Sequence, residues 1–274
     1  MYDDSQLPKG EIILFKKIIF IVLTILLTFS LSYADDNYFD LSEVNKGLLK
    51  VNFENTENKK IKIMVQKDNK KSFYDLKAPS QYPLNFGNGE YVVAILENTT
   101  ENKYKSVSAK KINVNIANPT QVYLNQSQML NWNENTEAIK KAKNLTKELT
   151  TNKEKAIAIH DYIVKNFKYD NDKINSIENS YTPNSETTFK SKSGICSDFA
   201  SLYAVMLRSV NVPTKYVKGN KNDIDTYHAW NQVYLEDSNK WVTVDITYDN
   251  TLFNNKTDYS FEKDSSEYTI NSEY

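Results

Sequence analysis

Between about Gly47 and Leu124 the chain alternates apolar and polar positions in short stretches. Leu48–Phe53, Ile61–Val65 and Lys111–Ile116 carry the period-2 pattern, and Tyr91–Leu96 is a continuous apolar run. Clusters of Asn, Lys, Gly and Pro separate them, and Phe86–Glu90 reads as a turn. Such spacing predicts several short antiparallel strands, of a size that suits a sandwich. No Cys or His falls in this region, so no candidate chemistry does either.

Near Asn131 the period changes. Thr136–Leu149 places Ala138, Ile139, Ala142 and Leu145 on one side of a helix. Thr151 and Glu154 form a capping-box pattern ahead of a second helix running to Phe167, with Ala156, Ile159, Ile163 and Phe167 as its apolar stripe. Residues 171–185 are polar and predict a loop. A third helix is expected over about Ile195–Val210, capped by Ser193 or Gly194. Strands are then expected over Thr214–Lys218, Tyr227–Leu235 and Trp241–Ile246. The expected fold is α+β: an all-β, sandwich-like domain over 35–128, followed by a mixed domain over 129–274.

The N-terminus carries a different signal. Lys16 and Lys17 precede an apolar run, Ile18–Leu31, which ends at Ser32-Tyr33-Ala34 and Asp35. A basic flank, a short apolar run and a small-x-small end describe a signal peptide over 1–34. Retained, residues 12–33 would instead tether the chain to a membrane. Either way the chain is expected to be secreted or at the cell surface. No Cys follows the run to accept a lipid.

Composition narrows the chemistry. The formal net charge is −1 over 274 residues, with both signs spread along the chain, so no basic patch points to nucleic acid. One cysteine excludes an intramolecular disulfide and a multi-Cys zinc site, and two histidines leave little for a His-rich metal centre. No cofactor or metal is expected.

The single cysteine, Cys196, falls in the first turn of the third predicted helix, where free N–H groups and the helix dipole favour a thiolate. Spaced three residues before Phe199, it is expected on that helix's buried face. Asp198 opposes a thiolate there, so a cationic partner is required. His228 supplies one. On its strand His228, Trp230, Gln232 and Tyr234 share a face. If Tyr234 pairs with Trp241, Asp245 lies opposite Trp230, one diagonal step from His228. An Asp so placed orients an imidazole that serves a nucleophile. His160, beside the stripe of its helix, is the rival base and is read as structural; Asp249 is the rival to Asp245.

Gly194-Ile-Cys-Ser-Asp-Phe-Ala200, Leu207-Arg-Ser-Val-Asn-Val-Pro-Thr214, Tyr227-His-Ala-Trp230 and Trp241-Val-Thr-Val-Asp-Ile-Thr247 together resemble the transglutaminase-like superfamily. The segment Ala156–Asp170 is similar to the helix that precedes the cysteine motif there. The resemblance covers roughly 152–249. It implies a papain-like fold with Cys196 as nucleophile, His228 as base and Asp245 as orienting residue. It also implies acyl transfer from protein or peptide amides through a thioester, ending in hydrolysis or crosslinking. Exported, such an enzyme would meet cell-envelope substrates. A non-catalytic surface-binding module on the same scaffold is the alternative. Two departures stand out: Ile246 replaces the proline that often follows the Asp, and the polar segment after Asp249 suggests reduced closing elements. The family's second oxyanion donor, often a Trp or Gln ahead of the Cys, is missing between Phe167 and Ile195, which leaves Tyr169 or Tyr181 as substitutes.

Overall fold

A computed structural model describes residues 38–77, 81–174, 176 and 181–274. The expected signal or tether over 1–34 lies outside the described residues. No helix among the described residues is long and apolar enough to cross a membrane.

The strand-rich N-terminal region holds two antiparallel sheets. β1 (Phe39–Asp40), β2 (Leu48–Val51) and β5 (Gln81–Pro83) form one, in the order β1-β2-β5. β3 (Ile61–Lys67), β4 (Lys70–Asp75), β6 (Gly89–Thr100) and β7 (Lys103–Val114) form the other, in the order β4-β3-β6-β7. Alternation sends one side of each strand inward. Leu49, Val51 and Tyr82 from the first sheet meet Ile63, Val65, Tyr91, Val93 and Ile95 from the second in a shared core. The four expected strands are present. β4 and β5 had no apolar pattern to announce them: β4 reads Lys-Lys-Ser-Phe-Tyr-Asp and buries only Tyr74.

The C-terminal region is mixed. α1 (Glu137–Thr146) and α2 (Asn152–Asn166) follow their expected stripes, and the Thr151–Glu154 capping box forms in both directions. β8 (Lys168–Tyr169) leads into the short α3 (Asn171–Ile174) and then α4 (Ser185–Ser191). β9 (Ser193–Gly194) pairs in parallel with β8 and feeds α5 (Cys196–Arg208). α5 is the central helix: Phe199, Leu202, Tyr203, Met206 and Leu207 have no exposed surface. Each such side chain contributes about 1.5–3 kcal/mol of burial. β10 (Thr214–Lys221), β11 (Ile224–Leu235) and β12 (Lys240–Val244) form an antiparallel sheet against α5.

The closing elements are fuller than expected. α6 (Ile246–Asn254) packs on α2 and α5, and β13 (Tyr268–Glu273) adds to the sheet beside β10, giving the order β12-β11-β10-β13. Gly219 makes that pairing sterically feasible: a Cβ there would sit 1.9 Å from the Thr269 carbonyl oxygen and 2.9 Å from the Trp230 ring.

The chain's end also touches the N-terminal region. Asn85 donates to the Glu273 carbonyl at 2.9 Å, and the Tyr123 hydroxyl donates to the Glu273 carboxylate at 2.9 Å. Buried Arg208 donates to the carbonyls of Asn125, Thr214 and Tyr274. That joins α5, the connecting segment and the last strand through one guanidinium.

Candidate active site

Cys196 opens α5, as its position predicted, but Ile195 occupies the cap in place of Ser193 or Gly194. Isoleucine has no acceptor to offer. Asp198 serves instead, accepting the Ile195 N–H at 2.9 Å. Gly194 leaves room for this: a Cβ there would meet Asp198 Cβ at 2.7 Å. The thiol is reduced and mostly buried, and it packs with Ala200, Tyr216 and Ala229. It does not share the Phe199 cluster as expected. The neighbour that matters is four residues on, because Phe199 turns toward Phe167 and Tyr169.

β11 and β12 take the expected register, with Tyr234 paired to Trp241 and the ladder ending at Asn231 and Val244. Asp245 is therefore not a strand residue. It caps α6, its Oδ1 accepting the Tyr248 N–H at 3.0 Å. The turn out of the strand brings its other oxygen to His228, where Nε2 and Oδ2 are 2.8 Å apart. The same Oδ2 accepts the Tyr268 hydroxyl at 3.1 Å. Asp245 is fully buried and His228 nearly so. Trp230 stacks on His228 at 6.0 Å between ring centres and is flanked in turn by Tyr268.

With Nε2 held by Asp245, the Nδ1 side of the imidazole is left for the sulfur. Cys196 is near enough for its charge to act on the His228 imidazole. Burial disfavours the imidazolium, but hydrogen bonds and charge from Asp245 and Cys196 outweigh it, and the His228 pKa is raised to about 10. The structure thus brings Cys196, His228 and Asp245 together.

The rivals lie elsewhere. His160 is buried in α2, with Nε2 2.8 Å from Asp249 Oδ2 and Nδ1 3.1 Å from Asp161 Oδ1. Lys263 pairs with the other Asp249 oxygen. Tyr203, Tyr259 and Phe261 surround the His160 ring. This second His–Asp pair ties α2 to α6 and the segment beyond.

Lys173, Tyr268 and the partner that Tyr181 takes had no signal in the sequence. Lys173 Nζ is 2.7 Å from Asp198 Oδ2, and the Tyr181 hydroxyl donates to Asp198 Oδ1. The carboxylate that was expected to oppose a thiolate is therefore neutralised by its own lysine. Tyr181 is committed to this bond, which removes it as an oxyanion donor. Tyr169 stays near the sulfur; burial chiefly, then charge on Cys196 and Asp198, pushes its pKa up to about 12. Lys173 and Tyr181 sit in the polar stretch read as loop. Tyr268 begins a strand whose polar sequence gave no warning. No group of metal-binding side chains is found among the described residues.

The fold and this constellation define a class. Residues 139–246 match the family described as Transglutaminase-like superfamily, and this part of the chain is a transglutaminase-like domain. The chain is 30% identical over 111 residues to the uncharacterized protein YebA of Bacillus subtilis. That match takes in 34% of this chain and 15% of the relative, so the chain corresponds to a small part of YebA's length. Among solved structures it is similar to the periplasmic domain of TgpA from Pseudomonas aeruginosa bound to ethylmercury. The TM-score is 0.38 with 12% identity, over 70% of this chain and 90% of that one. It is also similar to red sea bream transglutaminase, with TM-score 0.32 and 12% identity, over 73% of this chain and 47% of that one.

Proposed function

We propose that this chain is an exported thiol enzyme acting on protein or peptide amides through a thioester on Cys196. The observation that carries the reading is the bond of His228 Nε2 to Asp245, with the single cysteine at a helix start within electrostatic reach of the same ring. Sγ attacks the amide carbonyl and forms an S–C bond. The carbonyl electrons return as the C–N bond breaks, and the leaving amine takes a proton from His228. Water, deprotonated by His228, then attacks the thioester carbonyl; the S–C bond breaks, the electrons return to Sγ as the thiolate, and the acid leaves, while an amine in place of water gives a crosslink. Asp245 holds the imidazole tautomer and balances its charge. The Cys196 N–H at the start of α5 faces the developing oxyanion. No cofactor enters this scheme.

Residues 1–34 serve export in this reading, as a cleaved signal or a tether, and the substrate is a cell-envelope or extracellular protein. Residues 35–128 form a separate unit ahead of the enzyme domain at 129–274.

The test is catalytic. The purified chain is incubated with a casein-type protein substrate, with and without a fluorescent primary amine. Proteolytic fragments indicate hydrolysis and amine incorporation indicates transfer, and Cys196→Ala should lose whichever is seen. Activity that survives Cys196→Ala refutes the reading.

A further inference from the structure

The face of the sheet that meets Cys196 carries a cation for which the scheme above has no use. Lys218 pairs with Ala229, one step from the Gly219–His228 pair. Paired residues share a face, so Lys218 lies on the side where Ala229 and Tyr216 pack with Cys196. Its Nζ sits 5.4 Å from the centre of the Tyr216 ring. Tyr227, two residues before Ala229 and hence on the same face, is half exposed at the rim.

Lysines near this site otherwise have carboxylate partners. Lys173 holds Asp198, Lys215 holds Glu273, and Lys221 holds Asp223 and Glu267. Among the described residues Lys218 has none, although it is partly buried. Burial lowers its pKa and negative charge on Cys196 opposes that, which places the ammonium within electrostatic reach of the sulfur. A half-desolvated cation without a carboxylate partner costs stability, and the cost is relieved when an anion arrives.

We propose that Lys218 selects substrates bearing a carboxylate next to the scissile amide, such as an acidic side chain beside the bond, with Tyr227 covering its aliphatic part. This rests on Cys196 being the nucleophile. It adds a specificity element to that site: the acidic group docks on the ammonium and sets the amide carbonyl over Sγ.

Paired alkylating reagents test it without a known substrate. Iodoacetate and iodoacetamide undergo the same reaction, in which an S–C bond forms and iodide leaves with the C–I electrons. They differ in one carboxylate. The ratio of their rates at Cys196 therefore cancels intrinsic thiol reactivity and reports the cation. In the unmodified protein the iodoacetate/iodoacetamide ratio should exceed that of N-acetylcysteine and fall with added salt. Lys218→Met should lower it by roughly tenfold, the scale of one nearby charge at a protein–water boundary. Lys218→Arg should retain it, and Lys218→Gln serves as the neutral variant if the methionine fails to fold. A ratio unchanged in the neutral variants, with both reagents still labelling Cys196, overturns the role of Lys218 alone. Failure of either reagent to label native Cys196 overturns the thiol-enzyme reading and this inference with it.

Discussion

Lys173→Met tests how the fold tolerates a carboxylate two residues from its thiol. Asp198 is fully buried and takes three donors: Lys173, the Ile195 N–H and the Tyr181 hydroxyl. Removing one partner of a buried ion pair typically costs about 3–5 kcal/mol. Here two neutral donors remain and the Lys173 side chain is 28% exposed, so water screens part of the pair. The expected loss is about 2–3 kcal/mol, or roughly 4–12 °C in Tm for a domain of this size. Alkylation of Cys196 should also slow, because the uncompensated carboxylate opposes the thiolate. The double variant Lys173→Met/Asp198→Asn should recover most of the stability, since the amide can still accept from Ile195 and meet the Tyr181 oxygen. The assay is a double-mutant cycle by thermal and urea unfolding, with labelling rates in parallel. A Lys173→Met protein as stable and as reactive as the parent, or a double variant no better than the single, would refute the argument.

Four further expectations concern the His–Asp pairs. With the His228 pKa raised to about 10, the basic limb of the activity profile should lie near pH 10, far above an ordinary histidine; a limb near ~6.5 would contradict the pairing. The same shift stabilises the fold fully below ~6.5 and is lost as pH rises to about 10, so His228→Gln should flatten stability over that window in pH-dependent unfolding. Tyr268→Phe should lower kcat by about tenfold with KM little changed, since one of three bonds to Asp245 goes while His228 remains held, and steady-state kinetics read this. His160→Gln should cost about 1–3 kcal/mol by unfolding and leave Cys196 labelling near the parent rate, because its partner Asp249 keeps Lys263.

The pairing of His228 with Asp245 could be reasoned from the chain because a hairpin turns distance into parity. Six residues separate Tyr234 from Trp241, and an even loop keeps paired residues on one face. The route to contact was nonetheless different. Asp245 reaches His228 from a helix cap, and the residue after it, Ile246, is the first of α6. That helix, Ile-Thr-Tyr-Asp-Asn-Thr-Leu-Phe-Asn, buries little beyond Ile246, Asp249 and Asn250, so no apolar stripe marks it. β13 is an edge strand with only Tyr268 buried, and its pairing depends on the absence of a side chain at Gly219, about fifty residues earlier. Lys173 and Tyr181 belong to Asp198 through contacts that no local period encodes. α2, by contrast, carried both its cap and its stripe in one continuous stretch, from Thr151 to Phe167.

Activation of Cys196 as a nucleophile by His228 underlies the proposed chemistry. It is tested most directly by trapping with an electrophilic peptide amide mimic near neutral pH, read by peptide mass mapping and by the rate in His228→Ala. One adduct is expected, on Cys196, formed far faster than on a free thiol and slowed by orders of magnitude in His228→Ala. A thiol that stays unmodified, or one that reacts equally fast without His228, would contradict it.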